Sequence, residues 1–130
     1  MTANSFTSVS LDPPLVLVCP AKSSRTWESI RTAGRFCVNI LAGNHADLSR
    51  RFSEPSPNRF EAIEWRQRDA GPAIAAAAAW LDVELSAEHD AGDHTIAVCR
   101  VLSFETNDAV HALIFYRGQY ISVTSSEKTP

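Results

Sequence analysis

The sequence predicts a mainly β, antiparallel domain with two short helices, and three observations carry that prediction. Short apolar runs bounded by proline or glycine recur along the chain, the clearest being residues 15–19 between Pro14 and Pro20. Two runs with strand-like alternation, residues 80–85 and 95–105, flank the turn-rich His89-Asp90-Ala91-Gly92-Asp93-His94. Helix starts are confined to Ser23-Ser24 and to Asn44, each just ahead of a segment with helical spacing.

In chain order, residues 15–19 read as a continuous apolar strand. Ser24 or Ser23 caps a helix to about Ala33, which stops at Gly34, a residue free to take the left-handed turn that ends many helices. Trp27 and Ile30 give this helix one narrow apolar face. Residues 35–41 form the next strand, with Phe36, Val38 and Ile40 alternating against Cys37 and Leu41. Asn44 caps a second short helix through about Phe52. Residues 53–72, with three prolines and many charges, read as a long surface loop.

Residues 73–80 hold six alanines, and helix propensity alone favours a helix there. Trp80, Asp82 and Glu84 alternate with Leu81, Val83 and Leu85, which favours a strand from Trp80 and leaves a helical turn at residues 75–78. A long strand over 95–105 and a final one over 112–116 follow, and Arg117-Gly118-Gln119-Tyr120 ends the fold. Residues 1–122 make one domain, and 123–130 are a polar tail expected to be disordered.

With 130 residues, 45% hydrophobic and 21% charged, the chain has material for one modest core. A net charge of −3 argues against nucleic acid as the main partner. The longest apolar stretches, residues 15–19, 74–81 and 112–116, are too short to span a bilayer, and no secretory leader pattern is visible. Cys19, Cys37 and Cys99 lie far apart in apolar runs, so buried reduced thiols and a cytoplasmic location are expected. Neither a CxxC nor a Cys/His ligand spacing occurs, so no zinc site is expected.

Two polar clusters bracket the first apolar strand. Thr2-Ala3-Asn4-Ser5-Phe6-Thr7-Ser8-Val9-Ser10 crowds short hydroxyl and amide donors into nine residues. Lys22-Ser23-Ser24-Arg25-Thr26 places two cations and three hydroxyls at a helix start, where fixed charge and backbone N–H groups favour an anion. Serine and threonine are also ordinary capping and turn residues. The pair of clusters around one strand points to a site for a polar, anionic ligand.

The segment TANSFTSVSLDPPLVLVC, followed by KSSRTW, RFCVNIL, AGDHTIAVCRV and LIFYRGQY, resembles the flavin reductase-like family of FMN-binding split barrels. These are NAD(P)H-dependent reductases that supply reduced flavin to two-component monooxygenases. The resemblance runs from Thr2 to about Tyr120 in the family's order. It implies an antiparallel split β-barrel, FMN (alternatively FAD), NADH or NADPH as co-substrate, a homodimer and a partner monooxygenase.

Carried over by motif, Thr2, Ala3, Asn4 and Ser5 line the flavin ring and ribityl chain, with the backbone turning beneath them from Ser8 to Ser10. Lys22, Ser23, Ser24 and Thr26 hold the phosphate or the ribityl hydroxyls. Arg51 is a further phosphate candidate that the sequence does not separate from Arg50, and Lys22 reads equally as a solvated cation. Asn39 either turns its amide toward the cofactor or is a satisfied structural residue. His94, in Gly92-Asp93-His94, is placed near the nicotinamide as the catalytic candidate, its plainer reading being a turn histidine. Tyr116, Arg117, Gly118 and Tyr120 fall near the flavin or a dimer seam, and Trp27, Trp65 and Trp80 read as core or interface anchors. His45, His89 and His111 read as cap, turn and strand-edge residues.

Family members carry a helix and a strand pair ahead of Thr2, so a chain starting at Met1 is expected to leave sheet edges open. Two other readings stay open: a flavin-binding protein without turnover, and a related barrel holding haem or a deazaflavin.

Overall fold

The structure, a computed structural model, describes residues 1–123. Its elements are β1 (Phe6–Leu11), β2 (Pro14–Val18), α1 (Arg25–Ala33), β3 (Arg35–Ile40), α2 (Ala46–Ser53), β4 (Trp65–Arg68), β5 (Gly71–Ile74), β6 (Ala79–Ala91), β7 (His94–Thr106), β8 (Leu113–Tyr116) and β9 (Gln119–Ser122). Five strands form one antiparallel sheet in the order β1-β2-β7-β6-β3, and β4–β5 and β8–β9 are separate two-stranded hairpins. The fold is thus mainly β and antiparallel with two helices. Among the described residues the sheets do not close into a barrel.

The sheet's pleat separates two sets of buried side chains. Val16, Val83 and Cys99 pack with Phe36, Val38, Leu81, Leu85 and Val101 on one face. Ala73, Ala77 and Trp80 pack with Cys37 on the other. Val83 is fully buried at the centre of the first set and contributes about 2 kcal/mol of transfer free energy. Burial pushes the thiols of Cys37 and Cys99 up to about 11, which keeps both protonated and inert at neutral pH.

The β4–β5 hairpin covers the second face, and two polar anchors hold it. Asn39 Oδ1 accepts from the Ile74 N–H at 2.8 Å, and its amide group donates to the Pro72 carbonyl at 3.1 Å. Asp82, 2% exposed, accepts from Arg68 Nε at 3.1 Å, from Ser103 Oγ at 2.9 Å and from the Ala70 N–H at 3.4 Å. Arg68 also reaches Glu105 at 2.7 Å, which in turn pairs with Arg66 at 2.6 Å.

α1 begins and ends where its sequence signals stand. Ser24 Oγ accepts from the Trp27 N–H at 3.1 Å, and Gly34 sits at φ 78°, its N–H donating to the Ile30 carbonyl. Buried Trp27 packs edge-on against Phe36, ring centroids 5.8 Å apart, and so docks α1 on the sheet.

Five expectations need correction. The polar start does not turn at Ser8–Ser10: it is strand β1, exposed along most of its length, with a register shift between Ser8 and Ser10 that bulges Val9. Residues 53–72 are not all loop, because Trp65–Arg68 pairs with Gly71–Ile74 through backbone groups that charged side chains do not disturb. Residues 75–78 form a tight turn rather than a helical one, with Ala76 at φ 60°. His45, not Asn44, occupies the α2 cap, and its Nδ1 turns back to accept from the Ala42 N–H at 3.0 Å. The chain continues past Tyr120 into β9, and residues 124–130 of the expected tail lie outside the described residues.

Candidate functional site

Residues 1–5 run as an irregular segment against the rest of the domain before entering β1. The Thr2 hydroxyl donates to the Ser49 carbonyl of α2 at 2.6 Å. Ser5 Oγ accepts from the Cys19 N–H at 3.0 Å and donates back to the Cys19 carbonyl at 3.3 Å. These two hydroxyls pin the segment at both ends. Ala3 and Asn4, between them, stay exposed. A pinned stretch with its middle open presents backbone and amide donors to a ligand with little left to order on binding.

Cations and hydroxyls gather nearby. Arg59, from the connection after α2, donates to Thr26 Oγ1 of α1 at 3.3 Å and to the Glu54 carbonyl at 2.9 Å. Arg51 donates to the Asn58 carbonyl at 3.0 Å. Arg50 lies with its guanidinium carbon 4.9 Å from the Tyr120 ring centroid and pairs with Asp47 at 2.8 Å. The Tyr120 hydroxyl lies 2.9 Å from Ser49 Oγ, whose residue is only 3% exposed. The two arginines therefore differ: Arg50 faces β9, and Arg51 faces the connection that carries Arg59.

A second group surrounds the tip of the β6–β7 hairpin. The Lys22 N–H donates to the Asp93 carbonyl at 2.9 Å, and Ala21 bridges to His94. The Lys22 ammonium pairs with Asp90, and Arg31 pairs with Glu88 at 2.7 Å, both along an open cleft of about 380 Å³ that Trp27 and Thr95 also line. Ser23 is exposed beside them. His94 Nδ1 lies 2.7 Å from Asp93 Oδ1, and that hydrogen bond holds the Asp93 carboxyl below its usual range. Half-exposed His94 thus keeps a fixed ring and an accessible face.

The fold therefore brings Thr2 and Tyr120 together at Ser49 and pairs Thr26 with Arg59, and it gathers Lys22, Ser24 and His94 into a second group. Ser8 and Ser10 stand apart, farther along β1 opposite Val16 and Leu15. Asn39 is committed to β5 at both ends of its amide, which is the structural reading of that residue.

A protein-family model described as the flavin reductase like domain matches residues 1–124. The chain belongs to the flavin reductase-like family. Among its relatives is a "Probable flavin reductase" of Rhizobium meliloti, 48% identical over 122 residues, covering 93% of this chain and 39% of that protein. The flavin-dependent monooxygenase reductase subunit HsaB of Mycobacterium tuberculosis is 42% identical over 129 residues, covering 97% of this chain and 69% of its own length. Among solved structures, the Streptomyces globisporus NADH:FAD oxidoreductase SgcE6, in complex with NAD and FAD fragments, superposes with a TM-score of 0.93 at 32% identity over 98% of this chain and 79% of that one. The chain thus spans between about two-fifths and two-thirds of the curated relatives just named.

Sequence reasoning within this family framework misses Ser49, Arg59, Asp90 and Asp93. Ser49 and Arg59 carry no local signal, since one sits within a polar helix and the other within a charged connection. Asp93 was visible as the neighbour of His94, and only the fold shows that it orients the ring.

Proposed function

We propose that this chain is an NAD(P)H:flavin oxidoreductase that transfers a hydride from NADH or NADPH to FMN, or to FAD, and supplies reduced flavin to a partner monooxygenase. The observation that carries the reading is the pinned, open Thr2–Ser5 segment inside a family match that spans residues 1–124. A flavin is flat, amphiphilic and anionic at its tail. The donors present fit it: exposed backbone and the Asn4 amide for the ring edge, Thr2 and Ser5 beside them, and Lys22, Ser23, Ser24, Thr26 and Arg51 for the tail. Ser8 and Ser10, from farther along β1, complete the proposed binding set, and Tyr120 supports it through its hydrogen bond to Ser49.

A bound flavin supplies the hydride acceptor, so the protein needs no nucleophile or carboxylate pair. The chain's own residues bind and align. On this reading His94, its Nδ1 2.7 Å from Asp93 Oδ1, contacts the nicotinamide and fixes its approach. The Lys22 ammonium would exchange its pairing with Asp90 for a phosphate, a cheap exchange because an exposed ion pair is worth at most about 1 kcal/mol. The sheet and its two hairpins are read as an opened-out split barrel, the protein as a homodimer, and its location as cytoplasmic. No helix among the described residues is long and apolar enough to cross a membrane.

Steady-state oxidation of NADH and NADPH, with and without added FMN or FAD, tests this reading. Flavin-dependent oxidation is the expected result. Flavin binding without oxidation would favour a binding protein, and a folded protein that binds no flavin would favour another cofactor.

A further inference from the structure

Ser49 is one of two polar side chains buried among the described residues, and it ties α2 to two distant parts of the chain, the N-terminal segment and β9. Its hydroxyl lies 2.9 Å from the Tyr120 hydroxyl on β9. Its carbonyl accepts from Thr2 at 2.6 Å. Its neighbour Arg50 covers the Tyr120 ring at 4.9 Å, and Phe115 of β8 packs against the same ring at 5.2 Å. Other backbone ties of this corner are few: Leu113 N–H to the Leu41 carbonyl at 2.8 Å, Gly43 N–H to the His111 carbonyl at 2.8 Å, and the Ala42–Ala112 bridge.

A run of hydrogen bonds therefore leads from the β8–β9 hairpin through α2 to the N-terminal segment. We propose that Ser49 is a positioning residue for flavin binding: it locks α2 to Tyr120 and thereby fixes the Ser49 carbonyl that holds Thr2. The proposal rests on the flavin-binding reading above. On this assignment Tyr120 acts through Ser49 as an anchor, rather than as a direct ligand contact. Ser49 suits the role because a buried hydroxyl has few alternative partners, so its bond to Tyr120 is selective in direction.

The chemistry also predicts coupling. Removing either hydroxyl deprives the other of this partner, so the two substitutions act on one interaction and their effects on flavin affinity do not add. The residues proposed to meet the nicotinamide, at the β6–β7 tip, make none of these contacts, so nicotinamide binding should not respond.

The test uses the full chain and measures FMN dissociation by quenching of flavin fluorescence, alongside KM for FMN, KM for NADH and kcat. Ser49→Ala and Tyr120→Phe should each weaken FMN binding about tenfold. The double variant should be no weaker than the worse single one. In Ser49→Ala, kcat at saturating FMN and KM for NADH should hold. Ser103→Ala, which removes a hydrogen bond to Asp82 and touches none of these residues, serves as the stability control and should lower the melting temperature while leaving FMN affinity in place. FMN affinity unchanged in Ser49→Ala, with the parent binding and turning over, overturns the proposal alone. Additive losses in the double variant overturn it too. A parent chain that binds no FMN overturns both this proposal and the reading beneath it, and a parent that binds FMN without turnover removes only the reductase activity while the affinity arm still decides the proposal.

Discussion

Asn39 and His45 show how differently two half-buried polar side chains are satisfied. Asn39 spends its amide on two backbone groups of β5, so Asn39→Ala leaves the Ile74 N–H and the Pro72 carbonyl without that partner. The expected loss is roughly 2 kcal/mol, read as a lower urea midpoint with an unchanged slope. His45 must stay neutral at Nδ1 to accept from Ala42, and burial lowers its pKa below the ordinary 6.5. The unfolded chain then binds this proton more readily than the folded one, so stability is complete above about pH 6.5 and falls as the pH drops through that value toward the folded pKa. Asp93 and Glu105, both held low by hydrogen bonds, from His94 and Arg66 respectively, lose their contributions only in the more acidic carboxylate range. A urea midpoint that falls between pH 7.5 and 5.5, and a flatter profile in His45→Gln, would bear this out; a parent profile flat over that window would refute it. At this scale the sequence was partly legible. Ser24 and Gly34 announce their roles because capping is local chemistry. His45 reads as a cap and is one, although its bond to the Ala42 N–H is not announced, and Asn39 stays undecided because its partners lie on β5, whose approach only the fold sets.

The β4–β5 hairpin, like β1 and β9, is absent from the sequence reading, and its anchor explains why. Its strands are four residues long, and β4, Trp65-Arg66-Gln67-Arg68, looks like surface chain. Arg68 is nonetheless only 12% exposed in its side chain and meets Asp82 at 3%. Arg68→Met should cost about 3 kcal/mol or more, since it strands a buried carboxylate, whereas Arg68→Met with Asp82→Leu should recover most of that loss. Chemical denaturation of the two variants distinguishes a stranded charge from a generally weakened hairpin, in which case the double variant would be the worse. Gly71 marks the same seam: a Cβ there would lie 3.3 Å from the Cys37 backbone nitrogen, with φ at +158°, so Gly71→Ala should push β5 off β3 and lower the melting temperature by several degrees, about 1 kcal/mol. The alanine-rich run misleads for a related reason. Helix propensity is a weak prior, and here pairing of Ala79 with Ile40 and Thr106 overrides it. The long β6–β7 pair, by contrast, was readable from alternation and turn chemistry, although both strands reach closer to the Gly92-Asp93 turn than alternation suggested.

For the whole molecule, the strand order lies beyond local pattern. β2 pairs with β7 across some eighty residues of chain, matching Leu15 with Arg100, and nothing in either strand names the other. The assembled surface then carries an excess of apolar side chains: Leu11 is 91% exposed, Phe104 69%, Tyr116 57% and Phe115 49%. Phe104 pairs with Leu81, which packs against the first core set, so it continues that apolar face outward instead of standing as an isolated surface ring. Single exposed apolar residues need no explanation, but a face continuous with the core does, and covering it favours association. The homodimer proposed above supplies such a cover. Light scattering at micromolar concentration should therefore give twice the 14.2 kDa chain mass. Phe104→Asp should shift the protein toward monomer while its circular dichroism keeps the β signal, because a charge at that position opposes desolvation of the face without removing a buried contact. A parent chain that runs as a monomer, or a Phe104→Asp variant that remains dimeric, would place the partner surface elsewhere.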